Sequence, residues 1–386
     1  MPLLPGEATL GVLGGGQLGR MFVHAAQALG YRCVVLDPDA TSPAGAVAHE
    51  HLQADYLDEA ALEALGQRCQ AITTEFENVP ARALERLART RVVAPGAAAV
   101  AISQDRIREK AHFAASGVPC APYAVLNAGT DPDTVPEVLL PGILKTARLG
   151  YDGKGQRRVA DHVQLAAAFE ELGGVDCVLE QMLPLALELS VLVVRGADGA
   201  VVTFPVQQNL HRDGILAVTE VPAPDVDAAL QAQARESASA IAAEMGYVGV
   251  LCVEFFVLKD GRLIVNEMAP RPHNSGHYTM NACDLSQFEM QVRAMTGLPL
   301  REPRLHSPVV MLNLLGDLWF DAQGRERAPD WAGVLALPGA ELHLYGKAQA
   351  RQGRKMGHLN VIGATAEDAR ANARRACALL GLPDTW

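Results

Sequence analysis

The chain has 386 residues, enough for two or three domains, and 49% of them are hydrophobic, which excludes a disordered chain. A formal net charge of −11 argues against nucleic-acid binding, and the absence of a long apolar run argues against a membrane span. Seven scattered cysteines with no CxxC pair suit a reducing cytoplasm and argue against a disulfide scaffold or structural zinc site.

Leu10–Leu13 reads as a short apolar strand with no basic region before it, so no signal peptide is expected. Gly14-Gly15-Gly16-Gln17-Leu18-Gly19 follows, then a helical pattern over 20–29 and a strand over Arg32–Leu36. Strand, glycine turn, helix and strand form a βαβ unit. Gly14, Gly16 and Gly19 satisfy GxGxxG, and Asp37 lies about 20 residues on, where a dinucleotide site keeps its ribose-binding acid. A lone glycine turn serves another phosphate, or packing alone, just as well. A helix over 57–68 and a strand over Ala71–Thr74 continue the alternation. Carboxyl ends of parallel strands face the ligand crevice, which makes Gln17, Asp37 and Glu75 candidates for one site. Glu75 could equally cap a helix starting near Val79. A further strand is expected over Val92–Pro95. Ser103 is placed to cap a helix over 104–116, which Gly117-Val118-Pro119 stops. Arg106 and Lys110 share a face of that helix, a pattern that most often marks a solvated surface.

Gly142–Thr146 puts Lys145 at the end of a short apolar strand. The segment Gly150-Tyr151-Asp152-Gly153-Lys154-Gly155-Gln156 can wrap phosphate oxygens with backbone N–H groups, although it lacks the GKS or GKT of a Walker A loop. Val178–Leu183 is apolar except for Glu180 and Gln181, and Glu188 opens an alternating strand through Val194. Val250–Leu258 and Arg262–Glu267 read as a hairpin with Asp260-Gly261 as a two-residue type I′ turn. Counting outward puts Lys259 opposite Arg262, Phe256 opposite Val265, and Glu254 opposite Glu267, with the two acids about 5 Å apart at Cβ. A hard divalent cation such as Mg2+, shared with a phosphate, would neutralise that pair. A shifted register or a solvated pair of acids is the alternative.

Pro270–His277 holds two prolines and a glycine, so it is a loop. Arg271 suits an anion, and His273 could donate to a carboxylate or carry a proton. Otherwise the loop is stiffened by proline and bonds its own backbone. Strands are expected over Val309–Leu315, Glu341–Tyr345 and Leu359–Ile362, with a closing helix over Ala366–Leu380. Lys347, Arg351, Arg354 and Lys355 form a basic cluster in an acidic protein, suited to a small anion or simply solvated.

A lysine, a glycine loop, a Glu-Gln segment, a strand acid and a late carboxylate pair, in this order, resemble the ATP-grasp superfamily. The match is closer to one member, the N5-carboxyaminoimidazole ribonucleotide synthetase family. The motifs that carry it are GVLGGGQLGRM from Gly11, TTEFENV at Thr73–Val79, KTARLGYDGKGQ at Lys145–Gln156, NEMAPRPHNSGHYTM at Asn266–Met280 and GRKMGHLN at Gly353–Asn360. They span nearly the whole chain.

The resemblance implies an α/β fold in three parts. These are an N-terminal parallel-sheet, Rossmann-like domain over 1–102, an ATP-grasp region of two subdomains over 103–300, and a small C-terminal α+β domain over 301–386. It implies ATP-dependent carboxylation of 5-aminoimidazole ribonucleotide with bicarbonate, through carboxyphosphate, by a cytoplasmic homodimer using Mg2+. Arg106 and Lys145 would contact ATP phosphates, under the loop Gly150, Tyr151, Asp152, Gly153, Lys154, Gly155 and Gln156. Glu180, Gln181, Met182 and Leu183 would line the adenine pocket and Glu188 would meet the ribose. His211 and Asn266 would be further nucleotide positions. Glu254 and Glu267 would carry Mg2+. Arg271, His273, Asn274 and Asp152 would serve the chemistry. Gln17, Leu18, Glu75, Lys347, Arg354 and Lys355 would hold the ribonucleotide, with Lys347 and Arg354 on its 5′-phosphate.

Many ATP-grasp enzymes place an Asn metal ligand two residues after the second Glu. Here that position is Ala269, a change shared with the synthetase family. It counts against a biotin carboxylase or D-alanine ligase. The other readings are a formate-using transformylase of the same superfamily, an NAD(P) dehydrogenase built on the glycine turn, and a non-catalytic nucleotide-binding regulator.

Overall fold

The computed structural model of the chain describes residues 1–150, 155–321 and 323–384. The N-terminal sheet is parallel throughout, in the order Glu50–Leu52, Arg32–Leu36, Thr9–Leu13, Ala71–Thr74, Val92–Val93. Its central strands are apolar on both faces because helices cover both. Leu10, Val12 and Val35 pack with the helix Gln17–Ala28, and Leu13, Val34 and Ile72 with the helices Glu59–Arg68 and Ala81–Ala88. The strand order reverses beside Thr9–Leu13, so the glycine turn and Glu75 open on one crevice.

Two further sheets follow. A four-stranded sheet runs in the order Tyr123–Leu126, Cys177–Gln181, Gly142–Thr146, Gln156–Val159. The larger sheet runs Leu263–Ala269, Gly249–Leu258, Leu185–Arg195, Gln207–Arg212, Ile215–Val221, Val309–Leu315, Lys355–Ile362, Ala340–Leu344, with Val201–Thr203 beside Leu185–Arg195. The three C-terminal strands therefore extend this sheet, through Val218 opposite Leu312, and the helix Ala366–Leu380 covers them behind a Thr365–Asp368 capping box.

The helix Gln287–Thr296 docks the N-terminal sheet onto the large one. Phe288, Val292 and Met295 enter the N-terminal core. Buried Gln291 accepts from the Val250 N–H at 2.7 Å and donates to Thr73 Oγ1 and Ala94 O, each at 3.1 Å. Among the described residues no helix is long and apolar enough to cross a membrane.

One helix starts later than the sequence suggested. Ser103 ends the helix Ala97–Ser103, and its hydroxyl donates back to Ala99 O at 3.2 Å. The next helix, Arg106–Ala115, is capped by Asp105, whose carboxylate accepts from the Ile107 and Arg108 N–H groups and pairs with Arg148 at 2.8 Å. Either residue type can cap; the deciding factor is that Ser103 is still helical and its oxygen is engaged backward. Asp105→Ala should therefore cost about 1–2 kcal/mol, against under ~0.5 for Ser103→Ala. Urea unfolding midpoints of the two variants check this; equal shifts would refute the cap assignment.

Candidate active site

The hairpin places its two acids opposite each other by an unexpected route. Its loop has three residues, not two: the Gly261 N–H donates to Leu258 O, Leu258 pairs with Arg262, and Gly261 takes φ +85°. A left-handed third residue is the mark of a type I turn closed by a bulge. The register therefore starts one residue off, with Phe256 opposite Ile264 rather than Val265. A bulge at Asn266 absorbs the difference, and Glu254 faces Glu267 as the count required.

The helix Arg106–Ala115 secures that bulge. Arg106 meets Glu267 Oε2 at 3.2 Å, Glu109 accepts the Met268 N–H at 2.8 Å, and Lys110 donates to Asn266 O at 3.2 Å. Positions 106, 109 and 110 share one helix face, so one rigid element grips three consecutive strand residues. Glu109 and Lys110 were not singled out as site residues, and Lys110 is not the solvated charge its spacing suggested: it is 0% exposed. The partner that permits burial is Glu180. Lys110 Nζ lies 3.0 Å from Glu180 Oε1, and Lys145 Nζ lies 2.8 Å from Oε2.

These contacts set the charges. Burial opposes ionisation of Glu180, but Lys145 and Lys110 overcome it and hold the carboxyl down at about 2. Burial, with Arg106 and Lys110, lowers Lys145 despite its bond to Glu180. Across the hairpin the two acids diverge. Burial and the charge of Glu267 push Glu254 up to about 7, whereas against burial Arg106 and Lys145 hold Glu267 below the usual carboxylate range. Glu109, buried behind them, rises to about 7.

His273 faces Glu254, Nε2 to Oε1 at 3.2 Å. Its Nδ1 accepts from the Ser275 N–H at 3.3 Å, so in the neutral ring Nε2 carries the proton, on the side of the carboxylate. Burial and Arg271 place the imidazole well below its usual range, leaving it neutral. Cys252 joins Glu254 and His273 in a cluster whose ligand atoms lie within 4.8 Å. Burial raises the Cys252 thiol well above its ordinary value, which keeps it protonated and unsuited to a soft metal. Glu254, Glu267 and Asn266 Oδ1, which has no hydrogen-bond partner among the described residues, are hard oxygen donors and fit Mg2+ better.

Two cavities adjoin here. The first, of about 1080 Å3, lies between the four-stranded and the large sheet. It brings together Arg106, Lys145, Gly150, Gln156, Glu180, Gln181, Met182, Leu183, Glu188, His211, Glu254, Asn266 and Glu267. His211 Nδ1 bonds Glu188 Oε2, and that bond with nearby Glu254 raises the imidazole against burial. Gly155 stands behind the wall at φ +71°, its carbonyl accepting the Thr146 N–H at 2.9 Å. Tyr151, Asp152, Gly153 and Lys154 lie outside the described residues.

The second cavity, of about 420 Å3, is lined by Gln17, Leu18, Glu75, Lys347, Arg354 and Lys355. The two cavities share Phe76, Glu77, Arg271, His273, Asn274 and Lys355. Arg271 Nε donates to Glu77 Oε2 at 2.5 Å, which holds Glu77 low against burial. Glu77 is a wall residue that the sequence reading missed, although it sits in TTEFENV. Asn274 is 6% exposed, yet neither its Oδ1 nor its Nδ2 has a partner among the described residues. Burial, with the charges of Arg354 and Lys355, lowers Lys347 to about 8.

The glycine turn does not offer a dinucleotide site. Asp37 Oδ2 accepts from the Gly15 N–H and the Tyr56 hydroxyl, each at 2.6 Å. Glu75 does not cap the next helix, which starts at Ala81 behind Pro80. Its carboxylate accepts the Gly19 N–H at 3.3 Å, at the helix N-terminus where a pyrophosphate would have to lie. A Cβ on Gly14 would come within 2.4 Å of Glu75 Cγ, so this turn closes on the acid itself.

Two sheets that close on a nucleotide-sized cleft, with a buried lysine on one and facing acids on the other, define an ATP-grasp enzyme, and the model of the ATP-grasp domain matches residues 111–288. The ribonucleotide synthetase preATP-grasp domain matches residues 7–104, and the phosphoribosylaminoimidazole carboxylase C-terminal domain matches residues 309–372. An N5-carboxyaminoimidazole ribonucleotide synthase of Brucella melitensis is 45% identical over 366 residues, 93% of this chain and 97% of that protein. The chain belongs to the N5-carboxyaminoimidazole ribonucleotide synthase family. The ADP-complexed Staphylococcus aureus synthetase superposes with a TM-score of 0.89 at 39% identity, covering 97% of this chain and 98% of that one. The Aspergillus clavatus synthase, solved with ADP and 5-aminoimidazole ribonucleotide, gives 0.86 at 33% identity, with the same 97% and 98% covered.

Among the described residues Glu180 is the one carboxylate paired with both Lys110 and Lys145. Glu180→Gln leaves two buried ammonium groups without it and should cost about 3–5 kcal/mol. Urea unfolding of the variant against wild type measures this, and a loss under ~1 kcal/mol would contradict the shared-carboxylate account.

Proposed function

We propose that the first cavity holds ATP, that the second holds 5-aminoimidazole ribonucleotide, and that carboxylation takes place at the wall they share. The reaction joins ATP, bicarbonate and the ribonucleotide to give the N5-carboxylated ribonucleotide, ADP and phosphate. The observation that carries the assignment is Asn274: it is buried at the junction of the two cavities with a donor and an acceptor that have no partner among the described residues.

Bicarbonate is a weak electrophile. Its oxygen takes the γ-phosphoryl group, giving carboxyphosphate and ADP; the ribonucleotide amine then attacks the carboxyl carbon, losing a proton as phosphate leaves. Catalysis of the first step is positioning and charge neutralisation. Lys145 and Arg106 face the phosphates, and Glu254, Glu267 and Asn266 would hold Mg2+, which supplies further neutralisation when bound. Neutral His273 orients Glu254 through its Nε2–H. Arg271, fixed by Glu77, presents its remaining guanidinium N–H groups to the carboxylate-bearing intermediate. Asn274 can donate to that intermediate and accept from the amine with one side chain. Lys347 and Arg354 take the 5′-phosphate, with Gln17, Leu18, Glu75 and Lys355 around the remainder. The glycine segment 150–156 closes over the phosphates, and Asp152 orients the amine. The same reading takes the protein as a cytoplasmic homodimer.

Release of ADP from Mg-ATP, measured with the ribonucleotide and bicarbonate added separately and together, should require both. Release that needs the ribonucleotide but ignores bicarbonate depletion, or that proceeds equally with formate, would discard the carboxylase assignment. The pH dependence tests the phosphate site. Lys347 carries its charge below its value of about 8 and loses it above, so kcat/KM for the ribonucleotide should fall as pH rises through about 8. In Lys347→Met the overall value drops and that limb disappears; an unchanged limb would assign the phosphate elsewhere.

A further inference from the structure

We propose that Lys110, outside both cavities, is a positioning residue that lets Lys145 present a net positive charge to nucleotide phosphate. The inference rests on Lys145 as a phosphate ligand. Lys110 is fully buried and lines neither cavity, so it touches no ligand. Its ammonium has two partners across element boundaries: Glu180 Oε1 at 3.0 Å and Asn266 O at 3.2 Å. Glu180 Oε2 is held by Lys145 at 2.8 Å.

The charge count is simple. Lys145 and Glu180 alone form a neutral buried pair. Such a pair attracts an anion only through its dipole, and Lys145 must loosen its hold on Glu180 to reach a phosphate. With Lys110 on the other oxygen, the trio carries a net charge of +1. In a low-dielectric wall that difference is large. Lys110 compensates Glu180, and Lys145 becomes the surplus cation facing the cavity. The bond to Asn266 O adds a second effect: it ties the surplus charge in register with the bulge that sets Glu267.

A burial role alone makes a different prediction from charge compensation, and paired substitutions separate them. Lys110→Met removes one positive charge, leaving the pair neutral. Lys110→Met with Glu180→Gln removes both charges and returns the net charge to +1 at Lys145. Affinity for Mg-tripolyphosphate, which has no adenine for Glu180 to meet, measured by titration calorimetry on variants shown to be folded, should fall about tenfold in the single variant and recover to within about threefold of wild type in the double one. In turnover assays KM for ATP should rise more than kcat falls in the single variant. Unchanged tripolyphosphate affinity in Lys110→Met overturns the proposal, as does a loss that the double variant fails to recover. Should Lys110→Met not fold, the double variant decides alone: tripolyphosphate binding within about threefold of wild type supports charge compensation, and weaker binding refutes it. Lys145→Met serves as the separate control. If it leaves tripolyphosphate affinity intact, the phosphate-ligand reading of Lys145 falls first.

Discussion

Glu254 and Glu267 stand opposite each other on neighbouring strands, and two carboxylates so placed repel. The surrounding protein answers that repulsion unequally. Arg106 reaches Glu267 directly, and Lys145 adds to the field, so Glu267 stays ionised. Glu254 faces a neutral imidazole, and burial with the charge of Glu267 outweighs the pull of His211 and Lys355, so it moves toward neutrality. Two identical side chains thus acquire different proton affinities from their positions in one hairpin. A divalent cation would reverse this asymmetry by favouring both charged forms, so binding of that ion and release of a proton from the pair are linked.

The register of that pair depends on the helix Arg106–Ala115 more than on the turn. The three-residue loop alone would place Glu254 against Asn266. The bulge restores the pairing, and a bulge leaves backbone groups that the ladder cannot satisfy. Lys110 takes the Asn266 carbonyl and Glu109 takes the Met268 N–H. The helix therefore supplies what the sheet lost, and Asp105 anchors its start. Sequence, cap, bulge and carboxylate pair form one chain of dependence.

Much of this was legible in the sequence, and the failures have physical causes. The strands Arg32–Leu36, Ala71–Thr74, Gly142–Thr146 and Val309–Leu315 are short and mostly apolar and fall at the expected bounds. The facing acids emerged from a turn that is not the one formed, because the extra loop residue and the bulge cancel. No local pattern announces either, since a bulge is decided by what lies across the sheet. Lys110 was read as solvated for the same reason: its neutralising partner is 70 residues away in sequence, at Glu180. The glycine turn left its occupant open. Its motif describes backbone freedom, and whether a phosphate or Glu75 fills the space is settled by the neighbouring strand.

The wall between the cavities explains why the chain devotes a buried arginine to Glu77 instead of leaving it exposed for a substrate. A carboxylated phosphate is short-lived in water, so the distance between where it forms and where it is consumed has to be small. Arg271 fixed at one end by Glu77 is a rigid donor that both cavities reach, whereas a free arginine would have to be ordered anew at each step. Asn274 beside it offers opposite hydrogen-bonding senses from one amide at the junction of the two cavities. The segment after the N-terminal strand Ala71–Thr74 contributes Glu77 and the loop after the hairpin contributes Arg271 and Asn274, so this wall exists only when both domains are docked. Gln291, which spans Thr73, Ala94 and Val250, fixes that docking. The joint that holds the domains together and the wall between the two cavities are therefore set by the same alignment.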